Sequence, residues 1–184
     1  MPEKESLRRR IRELPPLPPD VRGEKSARLC EAIANTEAWR SAHTVVLFAP
    51  QFREPDVDML WDQIAERTFG YPCVEQERLG LYAVASLFDL RPGRWGLREP
   101  LAEPARAIAP GSIDLILVPG VAFTRAGARL GRGGGYYDRL LSALPSGTCK
   151  IGVCFDAQIV PELPVHSHDQ HVDFVATENG ILTS

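Results

Sequence analysis

An arginine- and glycine-rich stretch carries the clearest chemistry in this sequence. It reads Arg129-Leu130-Gly131-Arg132-Gly133-Gly134-Gly135-Tyr136-Tyr137-Asp138-Arg139, and four of the chain's 15 glycines fall within five of its residues. Glycines lack a Cβ, so backbone N–H groups can converge on a phosphate, and a helix opening at Tyr136 would add its unpaired amides and positive end. Arg132, flanked by glycines, can meet phosphate oxygens as a planar donor, and Arg129 can do the same. The spacing is neither GxxxxGK(S/T) nor GxGxxG, because the glycines stand at 131, 133, 134 and 135 and the next residue is Tyr136. Asp138 adds a constraint: a carboxylate in the first helical turn repels bound phosphate unless a cation lies between them, and Mg²⁺ is the natural mediator. Read alone, Asp138 is equally a charge that complements the helix dipole, and the glycines a flexible loop. Neighbouring helical residues point about 100° apart, so at least one of Tyr136 and Tyr137 can face a ligand held by the loop.

Two other chemistries compete. The segment His166-Ser167-His168-Asp169-Gln170-His171 holds three of the four histidines. It supports a Zn²⁺-dependent hydrolase using His166, His168, Asp169 and His171, although the order matches His-x-His-x-Asp-His only loosely and His43 is the one further imidazole. A non-enzymatic reading takes Arg132, Gly133 and Gly134 with Tyr136 and Tyr137 as an RNA-contacting Arg/Gly segment. A single copy of that segment, in an acidic chain, argues against it.

Composition narrows the classes further. The 184 residues carry 21 Lys+Arg against 24 Asp+Glu, a formal charge of -3, enough chain for one sizeable core and a single domain over 1–184. Five of the basic residues, Lys4, Arg8, Arg9, Arg10 and Arg12, lie in the first twelve positions, where the only acids are Glu3 and Glu5. The rest of the chain is therefore more acidic than the total suggests, which disfavours a nucleic-acid partner but not a small anion held by a few placed cations. No apolar run reaches the ~20 residues of a membrane span, and the charged start lacks the apolar core of a secretory signal, so a cytoplasmic protein without a membrane partner is expected. Cys30, Cys73, Cys149 and Cys154 show no Cys-x-x-Cys spacing and read as buried, reduced thiols.

The elements that must position these residues follow from periodicity. Residues 3–14 carry Leu7, Ile11 and Leu14 at helical spacing, and Pro15-Pro16 ends that helix. The Pro-rich 15–19 reads as a stiff connector, and Asp20 as the N-cap of a helix to about Asn35 with Ala27, Cys30, Ile33 and Ala34 inward. The continuous apolar runs at 44–49 and 113–118 suit strands covered on both faces. Further strands are expected at 71–74, 79–85, 151–155 and 172–176, with helices at 57–67 and 136–144 and a long functional loop over 91–111. This alternation implies an α/β fold, a three-layer domain with a largely parallel central sheet and helices on both faces, whose ligands sit beyond the carboxyl ends of the strands.

Pro119-Gly120-Val121-Ala122-Phe123 followed by the stretch from Arg129 to Asp138 resembles the hallmark of the 5-formyltetrahydrofolate cyclo-ligase family. Other segments resemble that family too: Lys4-Glu5-Ser6-Leu7-Arg8 its amino-terminal nucleotide-contacting Lys and Arg, Glu54 its substrate-binding Glu, and Trp95-Gly96-Leu97-Arg98-Glu99-Pro100 its Trp-Gly-x-x-x-Pro segment. Pro164-Val165 through Asp169 and Asp173 is similar to its carboxy-terminal element. The resemblance implies an enzyme that uses ATP and Mg²⁺ to convert 5-formyltetrahydrofolate to 5,10-methenyltetrahydrofolate, acting as a monomer on small molecules. It implies a nucleotide site of Lys4, Arg8, Arg129, Leu130, Gly131, Arg132, Gly133, Gly134, Gly135, Tyr136, Tyr137 and Asp138, with Arg132, Tyr137 and Asp138 closest to the chemistry. It places the folate against Ala49, Glu54, Trp95, Gly133, Gly134, Gly135, Tyr136 and Tyr137. It assigns Mg²⁺ to Asp138 and Asp169, with Asp173 a further candidate. Ala49 departs from the pattern, standing where members often carry a larger apolar residue.

Overall fold

Successive strand residues point to opposite faces, so an apolar run buried on both sides must feed two cores. Leu115 and Leu117 enter one core with Val45, Leu47, Ile151 and Ala176, while Ile116 and Val118 enter the other with Val46 and Val175. The computed structural model describes residues 2–61 and 67–182. Its elements are α1 (Pro2–Glu13), α2 (Pro19–Ala34), α3 (Glu37–Ser41), β1 (Thr44–Val46), β2 (Thr68–Glu75), β3 (Arg78–Val84), β4 (Arg91–Pro92), β5 (Arg98–Glu99), β6 (Leu115–Pro119), β7 (Ala122–Phe123), β8 (Arg129–Leu130), α4 (Tyr136–Ser142), β9 (Cys149–Val153), β10 (Phe174–Thr177) and β11 (Gly180–Leu182). Seven strands form one sheet in the order β11-β10-β9-β6-β1-β2-β3. The five from β10 to β2 run parallel, and β11 and β3 close the two edges antiparallel. Leu29, Cys30 and Ile33 of α2 and Trp39 of α3 cover one face, and Leu140 and Leu141 of α4 the other. The three-layer α/β expectation holds.

Local details differ, each with a physical cause. The helix expected at 57–67 is a single 3-10 turn, Val57–Leu60, after which Trp61 is extended; residues 62–66 lie outside the described residues. Helix α2 begins at Pro19, not after an Asp20 cap, because proline's fixed φ suits the first helical position. Its inward stripe is Ser26, Leu29, Cys30 and Ile33, with Ala27 exposed, and Ser26 Oγ is satisfied by the Asp56 amide at 2.9 Å. Pro72 stands inside β2 without breaking the sheet, since β1 pairs only with Thr68, Phe69 and Gly70 and leaves the Pro72 edge free. The long loop contains the small β4–β5 hairpin and short 3-10 turns. All four cysteines are unpaired; Cys30 and Cys154 are buried, Cys73 and Cys149 only half-buried. Burial first, then the nearby Asp56 and Asp58 carboxylates, push the Cys30 thiol up to about 12.

The chain passes from β1 to β2 on one side and returns to β6 on the other. This reversal opens a crevice beyond the carboxyl ends of β1 and β6, where open α/β sheets bind ligands. No helix of the described residues is long and apolar enough to cross a membrane.

Candidate active site

That crevice holds a cavity of about 430 Å³. Phe48 and Ala49 beyond β1 and Pro119 and Gly120 at the end of β6 form its base, Pro72, Val74 and Leu79 one apolar wall, and Trp95 part of its rim. Arg129, Gly131, Arg132, Gly134, Gly135, Tyr136, Tyr137 and Asp138 form the opposite wall. Gly133 and Gly135 have φ of +109° and +67°, a left-handed backbone that side chains rarely adopt, and this turns the loop tightly into α4. Leu130 instead points away from the cavity, buried with Ala122 and Val160.

Helix α1 reaches the loop from outside the sheet. Leu7 and Ile11 pack on the Ala122, Leu130 and Val160 cluster, and Lys4 and Arg8 share that helical face at spacings of three and four. Lys4 is only 7% exposed, which excludes a solvated face for it. Its Nζ donates to Asp169 Oδ2 at 2.5 Å, and Arg8 Nε donates to the Gly131 carbonyl at 2.9 Å. Burial raises the Asp169 carboxyl, but the Lys4 ammonium and the His166 amide outweigh it and hold the group below the usual carboxylate range.

The cations of the wall are all engaged. Arg129 Nη2 donates to Asp138 Oδ1 at 2.7 Å, while its Nε is buried with no hydrogen-bond partner among the described residues. Arg132 Nη2 donates to Glu54 Oε1 at 2.7 Å across the cavity, and Glu54 Oε2 accepts from the Gln51 amide at 2.9 Å. Arg22 of α2 fixes that loop by donating from Nε to the Glu54 carbonyl at 2.9 Å. Burial and then the Glu54 carboxylate push the Tyr137 phenol above its ordinary value, so it stays protonated and can donate. Asp138 Oδ2 and Asp169 Oδ1 accept no hydrogen bond among the described residues, the latter having only the His168 ring at 3.9 Å. Asp173 is spent elsewhere, accepting from the Lys150 amide at 2.7 Å.

The structure thus gathers Ala49, Glu54, Trp95 and most of the glycine stretch around one cavity, with Lys4, Arg8 and Asp169 behind the loop rather than in the lining. The lining also includes residues with no expected site role: Gln51, Arg98 and Glu99, and the alternating Pro72 and Val74, whose period-two spacing was the available signal. The histidine segment does not make a metal site: His166 and His168 stack with centroids 5.6 Å apart, and no group of three or more His, Cys, Asp or Glu among the described residues could hold an ion. Nor is the Arg/Gly stretch a projecting arm, because Arg129 is buried and Arg132 is bonded to Glu54.

A family model described as the 5-formyltetrahydrofolate cyclo-ligase family matches residues 1–178. A 5-formyltetrahydrofolate cyclo-ligase of Mycolicibacterium smegmatis is 34% identical over 150 residues, 77% of each chain. A probable 5-formyltetrahydrofolate cyclo-ligase of Schizosaccharomyces pombe is 28% identical over 177 residues, 86% of each chain. Among solved structures, the 5,10-methenyltetrahydrofolate synthetase of Aquifex aeolicus superposes with a TM-score of 0.86 at 31% identity, covering 98% of this chain and 92% of that one.

Proposed function

Since the chain belongs to the 5-formyltetrahydrofolate cyclo-ligase family, matched over residues 1–178, we propose that its cavity closes 5-formyltetrahydrofolate to 5,10-methenyltetrahydrofolate using ATP. A formamide oxygen is a poor leaving group. Transfer of the γ-phosphoryl group to that oxygen releases ADP and leaves an imino-phosphate. N10 then bonds to the formyl carbon, the carbon–oxygen bond breaks as phosphate departs, and N10 gives up its proton. Catalysis of this kind is mostly positioning of two anionic reactants and neutralisation of charge on the phosphoryl oxygens.

The observation that carries the reading is the Arg132–Glu54 pair, 2.7 Å across the cavity. It puts a planar phosphate-type donor from the glycine loop within one side chain of a carboxylate suited to the pterin's amino and ring N–H groups. In this reading the Gly131 to Gly135 backbone and Arg132 take the phosphates, Lys4 and Arg8 brace the loop from α1, and Tyr137 donates to charge that develops during transfer. Trp95 and Tyr136 flank the folate rings, and Ala49 leaves room at the cavity base. Magnesium would be held by Asp138 and Asp169, each of which has one carboxylate oxygen without a hydrogen bond among the described residues, since this ion takes one or two carboxylates and completes its shell with water and phosphate oxygens. Bound there, it would neutralise the charge between Asp138 and the phosphates.

The direct test mixes the protein with ATP, MgCl₂ and 5-formyltetrahydrofolate and follows the methenyl chromophore and ADP. We expect both in equal amounts. Folded protein that produces neither would overturn the assignment.

A further inference from the structure

We propose that Arg139, on the outer face of α4, is a positioning residue that clamps the glycine loop to the turn between β2 and β3. The inference rests on reading the cavity as the nucleotide and folate site. The Arg139 guanidinium donates from Nη2 to the Gly134 carbonyl at 3.1 Å and from Nε to the Glu77 carbonyl at 2.9 Å, with Nη2 reaching the same Glu77 oxygen. One planar fork therefore joins the loop to the end of a two-stranded hairpin at the sheet edge, which the single point charge of a lysine cannot reproduce. Tyr136 reinforces the junction by donating its hydroxyl to the Gln76 carbonyl at 3.2 Å, and Arg94 Nη1 approaches that carbonyl at 3.4 Å.

Three contacts among two rings and two guanidinium groups continue the junction to the rim. Arg139 lies over the Tyr136 ring with its Cζ 5.1 Å from the centroid, Tyr136 meets Trp95 edge-on at 5.8 Å, and Arg94 lies over Trp95 at 4.8 Å. Gln76 and Trp95, the non-glycine residues with left-handed backbone among those described, have φ of 52° and 57° and both sit here. Such strain persists only where surrounding contacts fix it, and it collects at functional sites. Arg139 also passes close to Gly135, whose left-handed φ of +67° is what calls for glycine: a Cβ there would lie 2.8 Å from Arg139 Nη1. A loop this rich in glycine has the most conformational freedom to lose on binding an anion, so a clamp on the Gly134 carbonyl fixes where its amides point before ligand arrives.

The test compares Arg139→Ala and Arg139→Lys with wild type and with Arg125→Ala, an exposed arginine in the turn between β7 and β8 that takes no part in these contacts. ATP binding with Mg²⁺ is measured by calorimetry, turnover by the methenyl chromophore, and thermal midpoint in parallel. Removing the clamp should weaken ATP binding and lower kcat by about tenfold to a hundredfold, the scale of an ångström-level misplacement. Arg139→Lys should recover little of the loss, Arg125→Ala should match wild type, and the midpoints should agree within a few degrees. Wild-type ATP affinity and kcat in either Arg139 variant would overturn the clamp, as would a loss explained wholly by unfolding. Failure of the wild-type protein itself to bind ATP would instead overturn the functional reading beneath it.

Discussion

The Lys25–Glu178 pair and the Arg132–Glu54 pair are both short contacts between opposite charges, yet the molecule uses them differently. Glu178 is 6% exposed; it accepts from Lys25 of α2 and from the Asp156 amide at 2.8 Å, so it ties α2 to the loop after β9. Arg132 has a side chain 54% exposed while its partner Glu54 is 11% exposed. A pair whose cation is more than half exposed adds little to stability and can be exchanged for a ligand at low cost, whereas Lys25, with a side chain 28% exposed, neutralises a carboxylate side chain only 2% exposed, and removing it strands that charge. The contrast separates charge that holds the fold from charge held ready for substrate, even though distances alone look alike.

The sharpest way to break this comparison is Arg132→Ala. It should lower kcat/KM for ATP by about a hundredfold or more, as loss of a transition-state donor does, with a thermal midpoint near that of wild type. A large drop in midpoint with unchanged ATP kinetics would reverse the assignment of this pair. Next, Glu54→Gln should raise KM for 5-formyltetrahydrofolate by about tenfold or more, the loss of a charge-assisted hydrogen bond, and leave KM for ATP nearly unchanged. Equal changes in both constants would mean that Glu54 serves chiefly to hold Arg132.

Glu178→Gln should act in the opposite sense, sparing neutral-pH kinetics and removing about 1–3 kcal/mol of stability. Burial raises this carboxyl, but Lys25 and the Asp156 amide outweigh it and bring the folded value below the ordinary 4.5. A lowered folded value means that the carboxylate stabilises the protein fully above 4.5 and loses that contribution as pH falls through the folded value. Chemical unfolding between neutral pH and pH 3 should therefore show a flatter acid dependence in the variant. Parallel curves would show that Glu178 titrates alike in the folded and unfolded chains.

Much of the fold was legible because it rests on local pattern. The apolar runs at 44–49 and 113–118 suit buried strands, and they contain β1, which ends at Val46 with Phe48 and Ala49 leading on into the cavity, and most of β6, which runs from Leu115 to Pro119 at the cavity base. The helix expected at 57–67 failed where it could be checked, since Val57, Leu60 and Trp61 satisfy a helical period and also serve a 3-10 turn followed by extended chain. Periodicity counts apolar residues and cannot see which neighbour buries them. In the site, the glycine stretch announced itself, but the Lys4 environment did not. A lysine on an amphipathic helix is ordinarily solvated, and only the docking of α1 against β7 and β8 buries it beside Asp169.

The sequence by itself determined the chemistry available: backbone amides freed by four close glycines, arginines with a planar fork, and a carboxylate at the start of α4. It also determined the layers, because alternation and continuous apolar runs require a sheet covered on both faces. Only the tertiary structure decided which charges meet. Arg132 and Glu54 are 78 residues apart, and Lys4 and Asp169 are 165 apart. Such partners are chosen when β1 and β6 become neighbours and α1 folds back across β8, a consequence of strand order that no local spacing encodes.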